Sequence, residues 1–123
     1  MTVPITAQVQ GFISGGTSTA PQANQVLAIY CAPTHGRMRR VVAAVQPGTQ
    51  GNLATILDVR KNGTSVWTNA AHRPTLPASA PSGVFTTYSP DNGSIVPGDI
   101  VTLVVVQAGN NSNVAMTVAV EEP

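Results

Sequence analysis

The chain has 123 residues and a formal net charge of +1, and 9% of its residues are Asp, Glu, Lys or Arg, against about 25% in an average soluble domain. That length fits one domain, residues 1–123, able to bury a core without staples, and the single cysteine, Cys31, excludes an internal disulfide. The near-neutral balance excludes a strong pull toward nucleic acid or anionic membrane, and no apolar run reaches the ~20 residues that span a bilayer as a helix.

Residues 1–4 read as a short arm. Met1-Thr-Val-Pro-Ile-Thr6 lacks the charged and long apolar regions of a secretory signal, which predicts synthesis in a cytoplasm. Ile5, Ala7 and Val9 then alternate with Thr6, Gln8 and Gln10 as a half-buried first strand. Gly15-Gly-Thr-Ser-Thr-Ala-Pro21 has the composition of a turn. Asn24 to Ala32 is a second strand, in which Cys31 reads as a small buried hydrophobe. Arg37 to Val45 is a third, opening on Arg37-Met-Arg-Arg40 and closing on Val41-Val-Ala-Ala-Val45.

Strands at about 53–61 and 64–69 flank Asn62-Gly63, the dipeptide best suited to a two-residue hairpin turn because both central residues need positive φ. Residues 69–83 form a long loop, whose three prolines each remove a backbone donor. A short strand spans Val84–Tyr88, and Pro90-Asp-Asn-Gly93 and Val96-Pro-Gly-Asp99 are turns. Ile100-Val-Thr-Leu-Val-Val-Val106 is too continuously apolar for a strand with one wet face, so burial on both sides is expected. Val114 to Val120 alternates again. About eight strands at 8–12-residue spacing, without a helical period, predict an all-β fold: a single antiparallel β-sandwich.

Chemistry-bearing constellations are thin. Two His, one Cys and five acids offer no CxxC, HExxH or acidic calcium loop, and His35 and His72 lie in loops. No GxSxG elbow, GxGxxG or Walker loop occurs, and Asp91 and Asp99 read as turn residues. The chain is therefore read as a non-enzyme with no metal, cofactor or small-molecule substrate. Trp67, Tyr30 and Tyr88 read as core residues, with sugar stacking the competing role. A surface so poor in charge points to coverage by protein partners. The Arg37–Arg40 cluster reads as a solvated strand end or a protein contact, since nucleic-acid binding would also want aromatics on the same face.

Asp58-Val-Arg-Lys-Asn-Gly-Thr-Ser-Val-Trp67, Arg73-Pro-Thr-Leu76 and Val96-Pro-Gly-Asp-Ile-Val-Thr-Leu-Val104 together resemble a recurrent pattern of tailed-bacteriophage virion modules, over about residues 55–120. The resemblance implies a small jelly-roll sandwich, and this free-standing chain is most similar to capsid decoration, or cement, proteins. It implies a homotrimer on the outer capsid surface of the virion, made in the host cytoplasm, that binds the major capsid protein and bridges its subunits. The contacts expected under it are Thr2, Val3, Pro4 and Ile5, then Arg37, Arg39 and Arg40, then His72, Arg73 and Leu76. The competing expectation is a fibre-tip or head-fibre module that binds a carbohydrate receptor.

Overall fold

The computed structural model describes residues 9–18, 21–46, 54–76, 83–86, 88–109 and 112–123. They form ten strands: β1 (Val9–Thr17), β2 (Val26–Cys31), β3 (Gly36–Gln46), β4 (Thr55–Lys61), β5 (Thr64–Ser65), β6 (Thr75–Leu76), β7 (Gly83–Thr86), β8 (Ser94–Ile95), β9 (Ile100–Gln107) and β10 (Ser112–Glu121). Among the described residues a single 3-10 turn covers Ala70–His72.

All strand pairs are antiparallel and fall into two sheets. The first sheet has the order β1-β10-β3-β7, with β8 also on β3. The second has the order β2-β9-β4-β5, with β6 also on β4. The chain crosses between sheets at β1–β2, β2–β3, β3–β4, β6–β7, β8–β9 and β9–β10, and this interleaving makes the sandwich a jelly roll.

Period-2 alternation builds the core. On β9, Val101, Leu103 and Val105 face the opposite sheet, and on β10, Val114, Met116, Val118 and Val120 do the same; all are buried. Leu57 and Val59 from β4, Ile13 from β1, and Met38 and Val41 from β3 complete one hydrophobic cluster. The double-sided burial expected for Ile100–Val106 holds in part. Val104 is buried on the far face, whereas Ile100 is exposed and Thr102 and Val106 are half-buried.

The hairpin forms as its residues dictate, with Asn62 at φ 51° and Gly63 at φ 86°. Its flanks pair Lys61 with Thr64 and Arg60 with Ser65. The turn is also locked to the one before β9. Asn62 N–H donates to the Ile100 carbonyl at 2.8 Å, Ile100 N–H donates to Asn62 Oδ1 at 3.0 Å, and Asn62 Nδ2 donates to Asp99 Oδ1 at 2.9 Å. The other Asp99 oxygen accepts from Val96 N–H at 2.9 Å, closing the Val96–Asp99 turn.

Three local expectations are corrected. Gly15 and Gly16 lie inside β1 and not in a turn. The reason is space: a Cβ on Gly15 would lie 2.4 Å from the Leu27 carbonyl oxygen, so glycine lets β1 cross closely over β2. Cys31 is exposed. A register shift between Val26 and Ala28 turns Ile29 and Cys31 outward, and Ala32 is the buried small residue instead. Within the expected loop 69–83, Thr75 and Leu76 are in a strand, pairing with Ile56 and Thr55, and residues 77–82 lie outside the described residues. Ile5 and Ala7 of the expected first strand lie outside the described residues; Val9 is exposed on β1.

Candidate functional site

The Arg37–Arg40 cluster sits on the outer face of the first sheet, and an irregularity in β3 puts it there. Val120 on β10 pairs with Met38, and the preceding Ala119 pairs with Arg40, so Arg39 is an extra, unpaired residue. A bulge of this kind sets two successive side chains on one face. Met38 and Val41 are buried on either side, and Arg39 and Arg40 are both exposed. Strict alternation would have turned one of them toward the core.

Each arginine has a distinct situation. Arg37 Nη1 donates to Ser94 Oγ on β8 at 3.1 Å. Arg40 Nη2 pairs with Glu121 Oε1 at 3.2 Å, the Arg40 side chain remaining 67% exposed while that of Glu121 is 7% exposed. Arg39 has no hydrogen-bond or ion-pair partner among the described residues.

Across β10 from this cluster lies Phe12, 64% exposed. It pairs with Ala119, which pairs with Arg40. Two strand spacings put the Phe12 and Arg40 backbones about 10 Å apart on one face. β1 has its own register shift between Val9 and Gly11, opposite Glu121 and Val120, so both neighbours of β10 are irregular at the same level. Farther along, the face carries rows of small or uncharged residues, Ser14–Thr117–Val42 and Gly16–Ala115–Ala44. Phe12 was missed from the sequence because its neighbours Gly11 and Ile13 make it look like part of an ordinary apolar strand. Only the shift at Gln10 decides which of them faces water.

The second expected cluster surrounds the 3-10 turn. Asn69 Oδ1 accepts from Ala71 N–H at 3.0 Å and caps it, and Arg73 Nε donates to the Ala70 carbonyl at 3.0 Å. The His72 ring stacks on Tyr88 with centroids 3.8 Å apart and planes 23° from parallel. Tyr88 is 61% exposed, contrary to the core placement expected for it, whereas Trp67 is buried and donates Nε1–H to the Tyr88 carbonyl at 2.9 Å. Asp91 accepts from both Thr68 N–H and Thr68 Oγ1 at 2.9 Å. The Thr68 backbone N–H first, then its hydroxyl, hold the Asp91 carboxyl below its ordinary range, with His72 adding to the effect.

The structure therefore brings Arg37, Arg39 and Arg40 together on one face, and His72 with Arg73 in a separate loop cluster. Leu76 is fully buried in the core. Thr2, Val3, Pro4 and Ile5 lie outside the described residues. Asp58, buried on the outer face of the second sheet, accepts from Ser65 Oγ at 2.7 Å and pairs with Arg60 Nε at 3.3 Å, which accounts for it as a structural group. Among the described residues no three His, Cys, Asp or Glu side chains converge as metal ligands would.

No protein-family model matches the chain, and no curated protein matches it. Among solved structures, one chain of the capsid of Ralstonia phage GP4 has a similar fold, with a TM-score of 0.53 at 14% identity. The alignment covers 100% of this chain and 92% of that one, so the similarity runs the length of two chains of comparable size.

Proposed function

We propose that this chain is a capsid decoration, or cement, protein of a tailed bacteriophage, which binds the outer surface of the assembled capsid as a homotrimer and bridges major capsid subunits. The observation that carries this reading is the end-to-end fold similarity to a similarly sized chain within a phage capsid. The physical logic agrees with it. A small jelly roll with few charges and no assembled catalytic constellation among its described residues works through its surfaces. A protein that binds the assembled lattice and not its separated subunits stabilises the lattice by mass action, and many copies compound a modest contact.

In this reading the capsid contacts are the arm residues Thr2, Val3, Pro4 and Ile5, the Arg37, Arg39 and Arg40 face, and His72 and Arg73 beside the 3-10 turn. Leu76 supports the loop from within the core. Partners are further copies of the chain and the major capsid protein, and no nucleic acid, membrane, cofactor or small-molecule substrate takes part. The chain is made in the host cytoplasm and resides on the virion. Adding the purified protein to expanded capsids that lack it should fill a saturable set of sites and raise the capsid melting temperature. Capsids that bind none of it and melt unchanged would remove the reading.

One feature favours a second reading, a fibre-tip or head-fibre module that binds a carbohydrate receptor. Tyr88 presents an exposed ring backed by His72, beside Asn69 and Asp91, and sugars stack on such rings while hydrogen-bonding to polar neighbours. Glycan-array binding that disappears in Tyr88→Ala, with capsid binding absent in the unaltered protein, would favour this reading over the first.

A further inference from the structure

We propose that the outer face of the first sheet, around the β3 bulge, docks onto a carboxylate-bearing protein surface of the capsid shell, with Phe12 as its apolar anchor and Arg39 as the residue that selects the partner. The inference rests on the capsid reading and says which face is used and what it meets.

Charge is the first argument. Arg37, Arg39 and Arg40 are three of the six basic residues of the chain, gathered on one patch. Opposing them are Glu121, already engaged by Arg40, and Glu122 just past the end of β10. The remaining acids of the described structure are held elsewhere: Asp58 by Arg60 and Ser65, Asp91 by Thr68, and Asp99 by Asn62 and Val96. The patch thus keeps a positive surplus in a nearly neutral chain. Its complement is an acidic surface, and a guanidinium meets a carboxylate through two parallel N–H donors that fix orientation as well as adding energy.

Composition is the second argument. Exposed aromatic and arginine side chains are the groups that most often carry binding energy at protein interfaces. Here Phe12 stands within reach of Arg40, and the two described rows farther along the face, Ser14–Thr117–Val42 and Gly16–Ala115–Ala44, are uncharged. Such a face lets a flat surface approach without desolvating charges, and the arginine end sets its direction. Arg39 is the free member of the set, because Arg37 is tied to Ser94 and Arg40 to Glu121. A double-stranded nucleic acid is a poorer fit, since a phosphate ladder needs basic side chains along its whole track and this face is basic at one end only.

The test measures binding of the full chain to expanded capsids lacking it, with three variants. Arg39→Glu and Phe12→Ser should each weaken binding by about tenfold or more, the scale of a desolvated charge pair or aromatic anchor, and unaltered protein should bind less tightly as salt rises. Ile29→Ser, on the exposed outer face of the second sheet, should bind as the unaltered chain does. Because neither Arg39 nor Phe12 is buried, all three variants should keep the parent melting temperature. If the unaltered chain binds and both Arg39→Glu and Phe12→Ser bind equally well, this face is not the docking surface, although the capsid reading survives. If the unaltered chain does not bind capsids, both fall. Retention on double-stranded DNA at the same salt, lost in Arg39→Glu, would overturn the proposal in favour of nucleic acid.

Discussion

At the scale of single residues, two glycines of β1 make opposite demands. Gly11 has open space where a Cβ would stand, whereas at Gly15 that atom would lie 2.4 Å from the Leu27 carbonyl oxygen. Gly15→Ala should therefore cost about 1–3 kcal/mol, as overpacking does, because the obstacle is backbone. Gly11→Ala should be neutral or stabilise by about 0.4–1 kcal/mol through the unfolded chain. Urea unfolding of the two variants checks the contrast, and equal effects would mean that the β1–β2 crossing is looser than described. The same pair shows what could be read in advance. Gly15-Gly16 followed by Thr and Ser has turn composition, and nothing local reveals that another strand passes beneath it. Cys31 departs from expectation for a related reason: an apolar run carries no mark of which member faces out once a bulge resets the alternation, whereas Tyr88 lies beyond the end of β7, where strand alternation no longer orients it.

Between elements, the bond linking the two best turns of the chain matters most. The Asn62-Gly63 turn and the Val96–Asp99 turn were both legible because each is set by local chemistry, positive φ in the first and a side chain closing on its own backbone in the second. That they interlock through Asn62 and Asp99 was not legible, since it depends on β4 and β9 being neighbours. Asn62→Ala should cost about 1–2 kcal/mol by urea unfolding, because it removes the acceptor for Ile100 N–H and a residue suited to positive φ. Asp99 adds a pH dependence. The Val96 N–H above all, then Asn62, hold its carboxyl below the ordinary 3.8. A carboxyl depressed in the folded state contributes fully above its unfolded value, and that contribution fades as pH falls through the lower folded value. Melting temperature followed from roughly pH 5 down to pH 2 should fall less steeply in Asp99→Asn than in the parent; identical slopes would mean that the carboxylate is not held by these donors. The β3 bulge is the other inter-strand feature that sequence could not supply. Arg37, Arg39 and Arg40 stand out in the sequence as a cluster, but all three share one face only because Arg39 has no partner on β10.

For the whole molecule, the antiparallel sandwich is legible in turn spacing and the apolar β9 run, and the jelly roll is what the resemblance implies, whereas sheet order depends on pairings between residues far apart in sequence. The proposed homotrimer makes a direct prediction. Light scattering at micromolar concentration should give the mass of three 12.6 kDa chains, with a circular dichroism spectrum dominated by strand; a stable single-chain mass would count against it. The position of β10 has a separate consequence for biogenesis. It follows the other nine described strands in the order of synthesis and lies between β1 and β3, so neither can complete its ladder until the ribosome has delivered it. Nascent chains must therefore wait with two unsatisfied strand edges, and refolding should be slow, on the millisecond-to-second scale of non-local β topologies. A fragment ending at residue 109 should remain unstructured until a peptide of residues 110–123 is supplied, because the first sheet has no centre without the strand that closes it.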